Sequence, residues 1–191
     1  QSLEDLRKHA QERGGELIFR RGNPPEIVAE LAERHRVDVV FAHREHAPDE
    51  KREEDNLRKR LKVPLRLCDG NSLLKETELP FSLVDLPQVF SNFRKQVEKE
   101  VQISRPIPVP QILPPHTQDC PPGIIPNLED LGFEPFIRDI RSVYRFAGGE
   151  TAALSRVQHY LWKSHAIKTY KETRNGMLKA DDSTKLSPWL A

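Results

Sequence analysis

Cysteine is scarce: Cys68 and Cys120 are the only two, far apart and outside any C-x-x-C pattern, so neither a disulfide framework nor a thiolate zinc site is expected. No apolar run approaches the ~20 residues needed to span a bilayer, and the first residues lack the hydrophobic core of a secretory signal. Charge of one sign is not in excess either, because 30 Lys and Arg face 29 Asp and Glu. That balance argues against a chain that coats nucleic acid by net charge and against an acidic tail. Any basic, DNA-facing surface must be local. Hydrophobic residues, at 37% of 191, are lean but compatible with a packed core in one domain or a domain with part of another. A reducing intracellular setting is expected. Cytoplasm, nucleus and organelle all stay open, because the first residues read as the interior of a domain.

What is present alternates. SLEDLRKHAQERGG offers Ser2 as an N-cap, sets Leu3, Leu6 and Ala10 on one helical face, and stops at Gly14-Gly15. The apolar run ELIFR (16–20) predicts a strand, and Pro24-Pro25 opens a helix with Ile27, Val28, Leu31 and Ala32 inward. VDVVFA (37–42) reads as a buried strand, the charged stretch from Pro48 to about Leu61 as a helix, and residues 63–67 as a third strand. Short apolar strands alternating with helices predict a parallel, doubly wound sheet, since parallel strands need helical crossovers. After a polar loop at 70–80, residues 86–98 predict an amphipathic helix with Val89, Phe90, Phe93 and Val97 inward.

Residues 104–126 carry prolines too dense for a helix or a central strand, which predicts an extended, semi-rigid connection; their P-x-x-P strings also suit SH3 or WW ligands. NLEDLG (127–132) caps a short turn. Arg138 to Arg145 gives no assignment. Gly148-Gly149-Glu150 then leads into a helix with Ala153, Leu154, Val157, Tyr160 and Leu161 on one face.

The most informative stretch is YKETRNGMLKADDSTKLSPWLA (170–191). Its run DSTKLS sets hydroxyls ahead of Pro188, where Trp189, Leu190 and Ala191 begin a helix. Free N–H groups and the macrodipole at a helix start favour an anion, and a phosphate suits it, although ordinary capping accounts for the same hydroxyls. The whole string resembles the start of the flavin-binding helical domain of the photolyase/cryptochrome family, and YKETRNG with STKLSPWLA is most similar to its DASH branch. FAHREHAPDEKREED, ELPFSLVDLPQVFSNFRKQVE and GGExxAL resemble the family too. The chain departs from the branch at Lys179 and Asp182, where glycine and tyrosine are usual.

That resemblance implies an α/β Rossmann-like antenna domain over 1–98, incomplete, a Pro-rich interdomain connection over 99–126, and the start of an all-α FAD-binding domain over 127–191. It implies that Tyr170, Ser183, Thr184, Lys185, Leu186 and Ser187 line the phosphates of FAD. Glu50, with neighbouring Asp49, would hold the pterin of a 5,10-methenyltetrahydrofolate antenna; read from the residues alone, both are first-turn acids favoured by the helix dipole. Arg174 falls near the DNA-facing rim of the flavin pocket, or else pairs with Glu172 or Asp181 on the surface. No catalytic residue is assigned, since the cofactor carries the chemistry. His43 and His46 lack a third ligand, so no metal is assigned, and Trp162 and Trp189 are not read as an electron chain.

The implied function is a blue-light flavoprotein that uses FAD and the folate for light-driven repair of cyclobutane pyrimidine dimers, chiefly in single-stranded DNA. It is expected to work as a monomer away from membranes. A blue-light photoreceptor without repair activity and a non-functional partial gene product are the competing readings. Because the family's usual opening strand with its WFR-type motif and the strand after it are missing, the chain is expected to be a piece of such a protein. By itself it is expected neither to hold FAD stably nor to repair DNA.

Overall fold

The computed structural model describes residues 1–70, 72–134, 137 and 139–190. Its elements run α1 (Ser2–Glu12), α2 (Pro24–Arg34), β1 (Val40–His43), α3 (Pro48–Arg60), β2 (Leu65–Cys68), α4 (Phe90–Glu100), α5 (Glu150–Gln158), α6 (Tyr170–Thr173) and α7 (Ser187–Leu190). Contacts divide the chain into two compact units, residues 21–108 and residues 1–20 with 109–191. Helix α1, which the sequence places with the α/β half, therefore packs with the helical half. Among the described residues no helix is long and apolar enough to cross a membrane.

Residues 21–108 form an α/β unit. Asn23 caps α2 by accepting from Glu26 N, and Pro24 and Pro25 fill the first turn, where their missing N–H groups cost nothing. Strands β1 and β2 pair in parallel, Val40 opposite Leu65 and His43 opposite Cys68, with α3 in the crossover. Only alternate residues of each strand are even half covered. Phe41, expected in a buried strand, is 62% exposed, with the Arg66 guanidinium 5.9 Å from its ring centre. Two short strands give too little sheet for helices to cover both faces. Helix α4 starts at Phe90 rather than near Leu86, so Val89 becomes its N-cap, and both Val89 and Phe90 are exposed instead of inward. Phe93 keeps its inward role, its ring 5.5 Å from that of Phe81.

In the unit of residues 1–20 and 109–191, α1 packs on α5. Gly149, the N-cap of α5, has no side chain to offer the free N–H groups of the first turn. The carboxylate of Asp5 takes that role, accepting from Thr151 N at 3.0 Å and Thr151 Oγ1 at 2.8 Å. Those two bonds hold the Asp5 carboxyl below the ordinary carboxylate range. Gly149 itself has φ +107°, and a Cβ there would meet Asp5 Oδ2 at 2.6 Å, so neither its backbone nor the docking of α1 tolerates a side chain.

Residues 16–20 do not form the expected strand. Their neighbours are residues 121–123: Phe19 N donates to Pro122 O at 2.7 Å, but Pro121 and Pro122 have no N–H to return, so no ladder can grow. Arginines replace the missing donors. Arg7 Nη2 reaches Leu17 O, Pro122 O and Gly123 O at 3.0 to 3.1 Å, and Arg20 reaches Phe19 O and Pro121 O. The Pro-rich stretch forms neither helix nor strand and carries bends at 111–112 and a turn at 118–119, with Leu113 N bonded to Arg13 O at 2.7 Å. Asn127 and Asp130 exchange side chain to backbone bonds of 2.8 and 2.9 Å, forming the expected NLEDLG cap. Of the unassigned stretch, Arg138 lies outside the described residues, as does Ala191, the last residue of the expected C-terminal helix.

Across the described residues the buried core side chains are few, Ala32, Cys120 and Tyr160, and Tyr160 alone is fully buried. Polar ties therefore carry an unusual share of the architecture. Gly149→Ala is expected to destabilise the chain by more than about 1 kcal/mol in urea unfolding. Asp5→Ala should lower the midpoint at pH 7. A carboxyl whose folded pKa is depressed stabilises fully above its unfolded value of ~3.9 and loses the effect as pH falls through the lower folded value. The gap between parent and Asp5→Ala should therefore close in acid, and equal midpoints at pH 7 would refute the cap.

Candidate functional site

Helix α5 carries an arginine on its apolar stripe. Arg156 falls three residues after Ala153 and four before Tyr160, and it is 2% exposed. Burying a guanidinium demands partners for its donors, and the turn at 180–184 supplies four acceptors. Arg156 Nε donates to Thr184 O at 2.7 Å, Nη2 to Ala180 O at 2.7 Å and Ser183 O at 3.0 Å, and Nη1 to Asp181 Oδ1 at 2.7 Å. Its carbon stands 4.8 Å from the ring centre of Tyr144 and 5.3 Å from that of Tyr160, a favourable position over aromatic π systems.

After α5 the helix widens into a π turn, His159–Lys163, closed by Ser164 N donating to His159 O at 2.8 Å. The π turn presents His159 Nε2 to Asp181 Oδ2 at 3.0 Å. Burial pushes the Asp181 carboxyl up, but the hydrogen bonds from Arg156 and His159 outweigh it and leave the pKa below the ordinary range. Tyr160 is buried, and its hydroxyl has no hydrogen-bond partner among the described residues. Burial raises its pKa, and Tyr170 adds to the rise.

Asp182, one of the two departures from the DASH pattern, is 7% exposed. Its carboxylate accepts from Lys179 N at 3.1 Å, its carbonyl accepts from Thr173 Oγ1 at 3.1 Å, and Gly176 leaves it room, since a Cβ there would meet Asp182 Oδ2 at 2.3 Å. The extra carboxylate is folded into the 176–182 loop.

Beyond Asp182 the chain changes character. Ser183, Thr184, Lys185 and Leu186 are half-buried and Ser187 is exposed. Among the described residues, the backbone N–H groups of residues 183–187 and the hydroxyls of Ser183, Thr184 and Ser187 donate to no protein acceptor, while the carbonyls of Ser183 and Thr184 are taken. Lys185 adopts φ +58°, a left-handed step that helps successive N–H groups converge on an anion. Residues 183–187 thus offer a run of donors while the carbonyls of Ser183 and Thr184 are turned to Arg156. Helix α7 is only four residues long over the described residues, too short for the macrodipole argument made from the sequence. The donors belong to the turn. Trp189 anchors its C-terminal side, with Nε1 bonded to Ala147 O at 2.9 Å and the ring 5.6 Å from that of Phe146.

The other sequence-derived candidates lie on other elements. Tyr170 opens α6 and is partly exposed. Arg174 caps the C-terminal end of α6 and is exposed; Asp181, one of its two expected partners, is engaged by Arg156 and His159. Asp49 and Glu50 sit in the first turn of α3 in the other unit, both exposed, with Asp49 paired to Arg52. Near them a groove of about 540 Å³ lies between Arg44, His46, Lys51, Glu54, Arg58 and Lys75, but Asp49 and Glu50 do not line it. Among the described residues no His, Cys, Asp and Glu side chains group as a metal site would require.

Arg156 and Tyr144 are the residues sequence reasoning missed. A charged residue on the apolar stripe of α5 was the available signal, since such a charge is buried only when paired. Tyr144 had no comparable mark.

A family model described as DNA photolyase matches residues 1–112. Cryptochrome DASH of Gloeobacter violaceus is 41% identical over all of this chain and 39% of its own length. The chloroplastic/mitochondrial cryptochrome DASH of Arabidopsis thaliana is 42% identical over 99% of this chain and 34% of its own. In the crystal structure of the Synechocystis cryptochrome, 40% of that chain superposes on all of this one with a TM-score of 0.89 and 37% identity. A class III photolyase from Agrobacterium tumefaciens, 23% identical, shares the fold with a TM-score of 0.80 over 39% of its length. The chain spans about two-fifths of the relatives it matches. The α/β order of residues 21–108 thus has counterparts across whole-chain alignments to proteins named cryptochrome DASH, and a family model covers more than half of the sequence: the chain belongs to the DNA photolyase family.

Proposed function

We propose that this chain carries the diphosphate-binding turn of a DASH-type blue-light flavoprotein, with Tyr170, Ser183, Thr184, Lys185, Leu186 and Ser187 holding the phosphates of FAD. One observation carries the reading: among the described residues, the N–H groups and hydroxyls of 183–187 donate to no protein acceptor, while the carbonyls at 183 and 184 are occupied. A donor-rich surface of that kind suits a polyanion, whose charged oxygens only accept. The chemistry of these residues fits the diphosphate end of the flavin nucleotide. When bound, the flavin would supply light-driven electron transfer to a pyrimidine dimer in DNA; the residues here bind and orient. Asp182, turned into its own loop, does not oppose the anion.

Arg174, exposed at the end of α6, is proposed to contact a DNA phosphate. Such contacts position the nucleic acid without reading its sequence. Glu50 is proposed to accept from the pterin of 5,10-methenyltetrahydrofolate. Its neighbour Asp49 is already paired with Arg52, which leaves Glu50 as the carboxylate available for paired N–H bonds.

Titration of the isotopically labelled chain with ADP should move the amide resonances of Thr184, Lys185 and Leu186 more than those elsewhere. Shifts confined to other segments would reject the diphosphate assignment. Equilibrium dialysis with 5,10-methenyltetrahydrofolate tests the antenna: Glu50→Gln should weaken retention by roughly tenfold or more, and equal retention in mutant and parent would remove Glu50 from the site.

A further inference from the structure

We infer that Arg156 is the positioning residue of the anion-binding turn, setting the direction of its N–H donors from beneath without touching the ligand. The inference rests on the diphosphate reading of residues 183–187. A trans peptide points its C=O and N–H in opposite directions, and the described backbone contains no cis peptide bond. The carbonyls of Ser183 and Thr184 point at Arg156 Nη2 and Nε. The N–H groups of Thr184 and Lys185, which share those peptide planes, must then point away from Arg156, toward the side where they meet no acceptor among the described residues.

The guanidinium is suited to the task. Its donors lie in a fixed plane, so one side chain sets the tilt of the peptides following Ala180, Ser183 and Thr184 together. Tyr144 and Tyr160 stack on it and hold that plane, and Asp181 locks its rotation through Nη1. Thr184 and Lys185 would act on the ligand; Arg156 acts through them. A lysine in the same place would keep the charge and lose the fork, and its three freely rotating donors would not fix the tilt of the three peptides together.

The test uses the 191-residue chain and inorganic pyrophosphate as probe. In the parent, the largest amide shifts on titration should fall at Thr184 and Lys185. Because coupling between ligand and anchor is reciprocal, saturation with pyrophosphate should also slow hydrogen exchange at Arg156 Nε–H. Arg156→Lys should weaken pyrophosphate binding by roughly ten- to hundredfold and abolish the Thr184 and Lys185 shifts, while exchange protection in α5 stays as in the parent. Unchanged pyrophosphate affinity in Arg156→Lys would overturn the inference and leave the diphosphate reading standing. If Arg156→Lys fails to fold, exchange at Nε–H in the parent decides: slower exchange on saturation supports the positioning role, and unaltered exchange overturns it. No pyrophosphate or ADP response anywhere in the parent would overturn both.

Discussion

The helical unit depends on one buried guanidinium. Removing Arg156 from water costs several kcal/mol unless its donors are satisfied, and at 2% exposure it has little water to fall back on. Three of its four hydrogen bonds go to backbone carbonyls and one to a carboxylate. That proportion matters, because a carboxylate partner alone would make an ion pair, whereas carbonyl partners fix the course of the chain. Asp181 remains about one-third exposed, so the pair is lopsided: the cation is fully desolvated and the anion is not. The arrangement behaves as a staple that a charge holds shut.

The staple works only if α5 is itself fixed, and its N-terminal end is fixed from outside. Asp5, on α1, provides the cap that Gly149 cannot. The cap and Arg156 stand at opposite ends of the same nine-residue helix, so a shift of α1 would tilt the platform on which the 180–184 turn rests. The unit of residues 21–108 is built on another principle, a parallel strand pair with a helical crossover and surface ion pairs such as Arg60 with Glu26. Such exposed pairs contribute little; the order there comes from the strand pairing and from α2 packed on α3.

Local rules written into neighbouring residues were legible in the sequence. Asn23 with Pro24-Pro25 fixed the start of α2, the Asn127 and Asp130 cap followed from NLEDLG, and the strand, helix, strand order through β1, α3 and β2 followed from periodicity. The Rossmann-like assignment and the DASH resemblance stood on motif strings that the family comparisons bear out. Partners remote in sequence were not legible. Residues 16–20 have a strand's composition, but the segment beside them is Pro121-Pro122, and no window around ELIFR contains that fact. Phe90 reads as core by its spacing and is 72% exposed because α4 begins at it. Asp182 read as a carboxylate beside an anion; Gly176 and the Lys179 N–H, which turn it inward, act only once the loop has closed.

Lys185 shows how the staple and the turn depend on each other. A residue with a Cβ in the left-handed region costs roughly 1–2 kcal/mol, and such conformations persist only where the surroundings over-determine them. Nothing at Lys185 itself favours φ +58°, since asparagine, aspartate or glycine would suit it better. The peptide before it is held, however, because Thr184 O is bonded to Arg156 Nε. The chain after it is held too, because Trp189 is tied to Ala147 O and packed on Phe146. With both flanks fixed, the φ of Lys185 is set by closure and the local cost is borne by the anchors. The backbone bend that gathers the donors is thus maintained by two side chains, Arg156 and Trp189, neither of which belongs to the donor set.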